Sequence, residues 1–217
     1  VTDAAIDTQV DALASATWLE APTTEGAAVS RDVTSAITKT VTSAMGVTDF
    51  SEVGLYSVTF NLSVPVGGTA SKTVQVLVKD PKDESKDGLT IHAENFVLEY
   101  ADAQDLTLAK SITNGGVQAY AQTEKNGEIE KIEKLNNNAI SVDTTQLETI
   151  QSSTIDGGIY KLTFTATKDS KTVSKEIEVL VKPKNAVVDG TESLMLDAKA
   201  FVVDYEDAAS LTEALAI

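Results

Sequence analysis

The chain has no cysteine and only one histidine in 217 residues, and these two scarcities remove much of the usual catalytic chemistry. Without thiols there is no disulfide framework, no cysteine nucleophile and no thiolate metal site. With a single imidazole, a multi-histidine zinc centre has no ligand set. No Gly-x-Ser-x-Gly elbow, phosphate-binding glycine loop or His-Glu-x-x-His helix is present, so the expectation is that the chain is not an enzyme. Aromatic residues make up 5% of the sequence, which predicts a modest core built mainly of Val, Ile, Leu and Ala. No stretch approaches the ~20 apolar residues of a membrane-spanning helix, so no membrane insertion is expected. Basic residues are in the minority: 17 Lys and Arg stand against 33 Asp and Glu, for a net charge of −16. That field disfavours nucleic acid and anionic membranes, and leaves divalent cations or basic surfaces as partners. A cysteine-free chain rich in Thr, Ser and Val suits an exported bacterial protein. Without a signal peptide, lipid-attachment motif or initiator Met, it reads as a processed or excised part of something longer.

What the chain does have is a long internal repeat. Ala93, Phe96, Tyr100, Asp102, Leu106 and Thr107 return 105 positions later as Ala198, Phe201, Tyr205, Asp207, Leu211 and Thr212. Gly54, Tyr56 and Phe60 return 104 positions later as Gly158, Tyr160 and Phe164. A period of this length is a whole domain rather than a solenoid unit. Polar, Pro-containing and Gly-terminated stretches at 81–88 and 183–190 read as linkers. They divide the chain into a first module at 1–80, a complete module at 89–182 and a tail at 191–217.

Alternating apolar and polar residues predict a hairpin from Leu55–Val64 to Val74–Val78, and a second from Ile159–Thr167 to Val173–Val181. Further strands are expected at 90–100, 117–123, 127–135 and 139–142. Asp102–Ile112 and Thr144–Gln151 read as short helical connections. Many short strands, few helices and regular turn signals describe an all-β chain of tandem antiparallel β-sandwiches with short helical connections. Tyr56, Phe60, Phe96, Tyr100, Tyr160 and Phe164 are the expected structural core. Tyr56 and Tyr160 sit where a corner tyrosine bonds its hydroxyl to backbone.

The order Ile91-x-Ala93-x-x-Phe96, Leu106-Thr107, Gly158-Ile159-Tyr160-x-Leu162-Thr163-Phe164 and Ile177-x-Val179-x-Val181 resembles the bacterial Ig-like repeats found in tandem in Gram-positive surface proteins. The resemblance covers both modules and the tail. It implies Ig-like sandwiches, an extracellular place at the cell surface or cell wall, and service as a stalk or an adhesive fibre. The alternative within the same resemblance is an adhesin module whose loops recognise a host protein or glycan. Some sandwiches of this kind form Lys–Asn isopeptide bonds, for which Lys110 is the residue to inspect.

The phase of the repeat gives a further expectation. Val1–Ile6 matches Leu211–Ile217 and Leu106–Ile112, so the first module lacks its opening strand and the tail supplies one. Leu194, Leu196, Phe201, Val203 and Tyr205 are therefore candidates for donor-strand self-association within 193–205, giving a head-to-tail fibre, with truncation of a longer array as the simpler alternative. The partner is then the chain itself, with a host surface ligand as the other candidate. Asp80, Asp83, Glu84 and Asp87 form the densest acidic cluster and are the calcium candidates; no other cofactor is expected. The lone His92 reads as a surface residue on a strand, and Trp18 as a core or edge residue.

Overall fold

The computed structural model describes residues 3–20, 28–44, 46–64, 68–184, 187–188 and 195–196. A short helix, α1 (Asp3–Asp11), is followed by β1 (Thr17–Glu20), β2 (Val29–Asp32), a 3-10 turn at Thr34–Ala36, β3 (Ile37–Ser43), β4 (Gly54–Val64) and β5 (Gly68–Val78). Then come β6 (Glu84–Lys86), β7 (Leu89–His92), β8 (Phe96–Leu98), α2 (Tyr100–Gln104), α3 (Leu108–Asn114), β9 (Gln118–Lys125) and β10 (Glu128–Lys134). A second 3-10 turn at Asn137–Ala139 leads to β11 (Ile140–Val142), α4 (Thr144–Gln151), β12 (Gly158–Lys168) and β13 (Lys171–Val181). The two-residue strands β14 (Val187–Val188) and β15 (Met195–Leu196) pair with each other.

The described chain is mostly β-strand, arranged in sheets that are antiparallel apart from one pairing. The sheet orders are β1-β2, β3-β4-β5, β10-β9-β7-β6, β11-β12-β13-β8 and β14-β15. The exception is β13 with β8, which run parallel, with Val179, Leu180 and Val181 opposite Phe96, Val97 and Leu98. The first strand of the second repeat, expected as one run over 90–100, is in fact two. β7 joins one sheet, Ala93–Asn95 carry the chain across, and β8 joins the other.

Two-residue turns set the hairpin registers. Asp87 and Gly88 at φ 53° and 80°, and Asn126 and Gly127 at φ 55° and 82°, both adopt the left-handed pair that matches strand twist. Asp169 and Ser170 do the same without glycine, at φ 50° and 65°. β4 buries Gly54, Tyr56, Val58 and Phe60 in strict alternation. Helix α4 is capped by the Asp143 side chain, which accepts from the Gln146 N–H at 3.0 Å.

The chain forms two compact units, each drawn from separated stretches. The first comprises the described residues of Val1–His92, Gln118–Ile140 and Thr165–Lys175; the second comprises those of Ala93–Val117, Ser141–Phe164 and Glu176–Ile217. In the first unit, a core of Val10, Phe50, Tyr56, Val58 and Phe60 is flanked by the half-buried Val74, Val76 and Val78. In the second, Phe96, Leu98, Leu106, Ile150, Leu162, Phe164, Val179 and Val181 are buried.

The sequence period is matched element by element. α1 and α3 begin 105 residues apart, the two 3-10 turns 103, β4 and β12 104, and β5 and β13 103. Among the described residues no helix is long and apolar enough to cross a membrane.

Candidate functional site

Among the described residues, a buried cluster of titratable side chains lies in the first unit, on the strand pair β6–β7. β7 is a central strand, and all four of its residues, Leu89, Thr90, Ile91 and His92, are buried. The Asp87-Gly88 turn fixes the hairpin register at Lys86–Leu89, Ser85–Thr90 and Glu84–Ile91. One step further along, Asp83 faces His92, and its carboxylate lies 2.7 Å from the His92 Nδ1. Both side chains are almost closed to solvent, at 3% for Asp83 and 9% for His92. The expected surface histidine is therefore buried, because β7 has covered rows on both faces rather than one.

Asp83 also ties down the segment that precedes it. Its second carboxylate oxygen accepts from the Asp80 N–H at 2.9 Å, and the Asp83 N–H donates to the Asp80 carbonyl at 3.0 Å. The Asp80 side chain accepts from the Lys82 N–H at 2.7 Å. Next on the same face, the hydroxyls of Ser85 and Thr90 are 2.9 Å apart, and Lys79 Nζ donates to Ser85 at 3.1 Å. From the start of β13, Lys171 Nζ donates to the Asp87 carbonyl at 3.0 Å, and Lys175 Nζ donates to the Lys82 carbonyl. Residues 81–88, expected as a linker, hold a hydrogen-bonded turn and a paired strand.

The calcium candidates lie in this turn and strand. No three His, Asp or Glu side chains among the described residues converge as a metal site. One Asp80 oxygen and one Asp83 oxygen accept from backbone N–H groups, the other Asp83 oxygen faces His92, and Asp87 occupies the turn. Calcium requires six to eight converging oxygens, and the quartet Asp80, Asp83, Glu84 and Asp87 is not gathered to provide them.

The polar face continues across β9. Tyr120, buried opposite Thr90, donates its hydroxyl to Gln118 Oε1 at 2.6 Å, and Lys134 Nζ donates to the same oxygen at 3.0 Å. Burial, helped by the Asp83 carboxylate, pushes the Tyr120 phenol up to about 12. Also within this unit, the Ile132 N–H donates to Gln75 Oε1 at 2.8 Å, joining β10 of the second repeat to β5 of the first. What this cluster does chemically is hold: every described contact of the dyad and the tyrosine locks backbone or a neighbouring side chain.

The other expected residues fall as follows. Tyr56 is fully buried and donates its hydroxyl to the Glu52 carbonyl at 2.8 Å, while the Glu52 N–H reaches the same oxygen at 3.2 Å. Tyr160 is only half-buried, and its hydroxyl lies 3.5 Å from the Gly157 carbonyl. Phe60, Phe96 and Phe164 are buried, whereas Tyr100 is half-buried and begins α2, with Lys184 Nζ 5.9 Å from its ring centre. Lys110 is exposed on α3, which removes the burial an isopeptide bond needs, and Trp18 is half-buried on β1. Leu196 lies in β15 opposite Val187, while Leu194, Phe201, Val203 and Tyr205 lie outside the described residues.

The sequence did carry a signal for the dyad. An Asp-Gly turn followed by Leu89-Thr90-Ile91-His92 fixes a hairpin, and counting back from the turn sets Asp83 against His92. Compared with known proteins, the chain matches no family model and no curated protein.

Proposed function

We propose that this chain is a structural repeat of an extracellular bacterial surface protein, in which Ig-like sandwiches in series form a stalk, with no catalytic role. The observation that carries this reading is the recurrence of helix, 3-10 turn and hairpin at offsets of 103–105 residues. Each of the sheets β10-β9-β7-β6 and β11-β12-β13-β8 carries the buried apolar row that a sandwich face requires, with Ile91, Ala119 and Ala121 in the first and Leu162, Phe164 and Val179 in the second.

The polar network around Asp83, His92 and Tyr120, with the Gln75–Ile132 bond, suits a stiff connection between successive repeats rather than a hinge. Charge fits the same role, since a chain of net charge −16 stays soluble and resists non-specific association.

Single-molecule pulling on the full chain tests the proposal. Independent repeats release stepwise, and a repeat of about 100 residues frees roughly 330–360 Å of chain. At least one step of that size is the expected result. A single event spanning the whole chain would overturn the reading.

A further inference from the structure

Within the first unit, a crevice of about 340 Å³ lies where the sheet of the first repeat meets the β9–β10 hairpin of the second. Strand register explains its lining. On one wall, Leu55 and Ser57 stand two residues apart on β4 and so share a face, and Thr42 on β3 is paired with Ser57. On the other, Gln118 and Tyr120 stand two apart on β9, and Lys134 on β10 is paired with Tyr120. The volume falls at the small end of the roughly 300–1,000 Å³ range of ligand sites. In a chain of net charge −16, no carboxylate lines this crevice among the described residues. Lys134 shows the same bias: its Nζ rests on the Gln118 side-chain oxygen, whereas Lys39, Lys131, Lys161, Lys168 and Lys182 each meet a carboxylate at 2.9 Å or less.

The hydrogen bonds show which atoms are left to a ligand. Lys134 can only donate, so the Gln118 atom it meets is Oε1, and that oxygen also takes the Tyr120 hydroxyl at 2.6 Å. With Oε1 doubly engaged, the Gln118 Nε2 has no acceptor among the described residues. It is open to solvent, because no sealed side-chain nitrogen or oxygen among those residues lacks a partner. The Ser57 hydroxyl stands in the same position. The Thr42 hydroxyl donates to the Ser57 carbonyl at 3.4 Å and keeps its lone pairs. An ammonium and an amide NH2 side by side suit a carboxylate, which accepts charge-assisted hydrogen bonds. Hydroxyls beside them, with apolar Leu55, suit the hydroxyls and C–H groups of a sugar ring. We infer that this crevice is a binding site for a small sugar acid, its carboxylate on Lys134 Nζ and Gln118 Nε2 and its hydroxyls on Ser57 and Thr42. The site does not depend on the stalk reading. A ligand there touches both repeats, so its binding also tightens the junction between them.

A proton–nitrogen NMR titration of the full chain with glucuronate tests the site, at about 0.15 M salt to screen non-specific attraction. The expected result is saturable shifts in the Gln118 side-chain NH2 and in the backbone amides of Thr42, Ser57 and Lys134. Glucuronate should bind roughly tenfold tighter than acetate or glucose, the scale of one charge-assisted hydrogen bond. Lys134→Gln should weaken glucuronate by a similar factor, whereas Lys72→Gln, at an exposed position on β5, should leave it unchanged. Ser57→Ala should weaken glucuronate and leave acetate as it was. Unchanged spectra, acetate binding as tightly as glucuronate, or equal losses from the two lysine variants would overturn the site. Glucose binding as tightly as glucuronate would overturn the role given to the carboxylate. The acetate and glucose comparisons use the parent chain, so they decide the matter even where a variant fails to fold. An oligosaccharide containing glucuronate separates two sources of the same chemistry. Tighter binding than the monomer identifies a residue within an acidic polysaccharide, and weaker binding identifies the free sugar acid.

Discussion

The β4–β5 and β12–β13 hairpins share strand lengths, the Gly-x-Tyr-x-x-x-Phe opening and the same inward rows, yet they are covered to different extents. In the second, Leu162, Phe164, Val179 and Val181 are sealed; in the first, Tyr56 and Val58 are sealed while Val74, Val76 and Val78 are half-open. Alternation decides which face of a strand turns inward, but the neighbouring elements decide how much water is removed from that face. Identical patterns therefore need not contribute equally to stability.

The largest test of this difference removes the matched phenylalanines. Phe164 is fully buried and Phe60 is 7% exposed. Phe164→Ala is expected to cost about 4 kcal/mol and Phe60→Ala about 3 kcal/mol, since the more open site loses less burial and relaxes more easily. The only tryptophan, Trp18, lies in the first repeat on β1. Urea unfolding followed by fluorescence should therefore shift chiefly with Phe60→Ala. The far-UV circular dichroism change of the second repeat should shift chiefly with Phe164→Ala. Equal shifts in both signals from either variant would show the two hairpins to be equivalently packed.

The tyrosines invert the comparison, because here the first repeat holds the better-satisfied residue. Tyr56→Phe strands the Glu52 carbonyl and N–H that its hydroxyl serves at 2.8 Å and 3.2 Å, and is expected to cost about 1 kcal/mol. Tyr160→Phe removes only a 3.5 Å contact from a half-exposed ring, so its thermal midpoint should stay within error of the parent. A larger loss at Tyr160 would mean that the corner bond forms there in solution.

Much of this was legible in the residues, and the exceptions have physical causes. The two long hairpins follow from alternation in Leu55–Val64 and Ile159–Thr167, and α4 from Asp143 acting as a cap ahead of Thr144–Gln151. β6 did not declare itself, because Glu84-Ser85-Lys86 has no apolar alternation. Its strand geometry comes from the Asp87-Gly88 turn and from pairing with β7. His92 was misplaced for a related reason: period-two reasoning assumes one wet face, and β7 has none. Tyr100 keeps its place in the repeat but opens α2 instead of extending β8, so a conserved spacing within the chain marked a position without fixing its secondary structure. The acidic run at 80–87 suggested cation binding by its charge count, whereas the turn it forms directs the Asp80 and Asp83 carboxylates to backbone N–H groups.

The smallest expected effect concerns charge, and again separates the repeats. Glu133 accepts from Lys131 at 2.9 Å and from Lys168 at 2.7 Å. Hydrogen bonds from these two ammonium groups, with their charge, hold its carboxyl down at about 2. By the offsets of the flanking elements, the corresponding positions in the first repeat are Ser30 and Val64, which form no such pair. A carboxyl depressed in the folded state contributes stability that is present above its ordinary value of 4.5 and lost as pH falls from there towards 2. Glu133→Gln should therefore lower the thermal midpoint slightly at pH 7, the gap narrowing through that window and closing near pH 2. Because the cluster is open to solvent, added salt should shrink the pH 7 difference as well. A gap that persisted at pH 2, or ignored salt, would place the role of Glu133 in packing rather than charge, and would remove the ion cluster from the contrast between the two repeats.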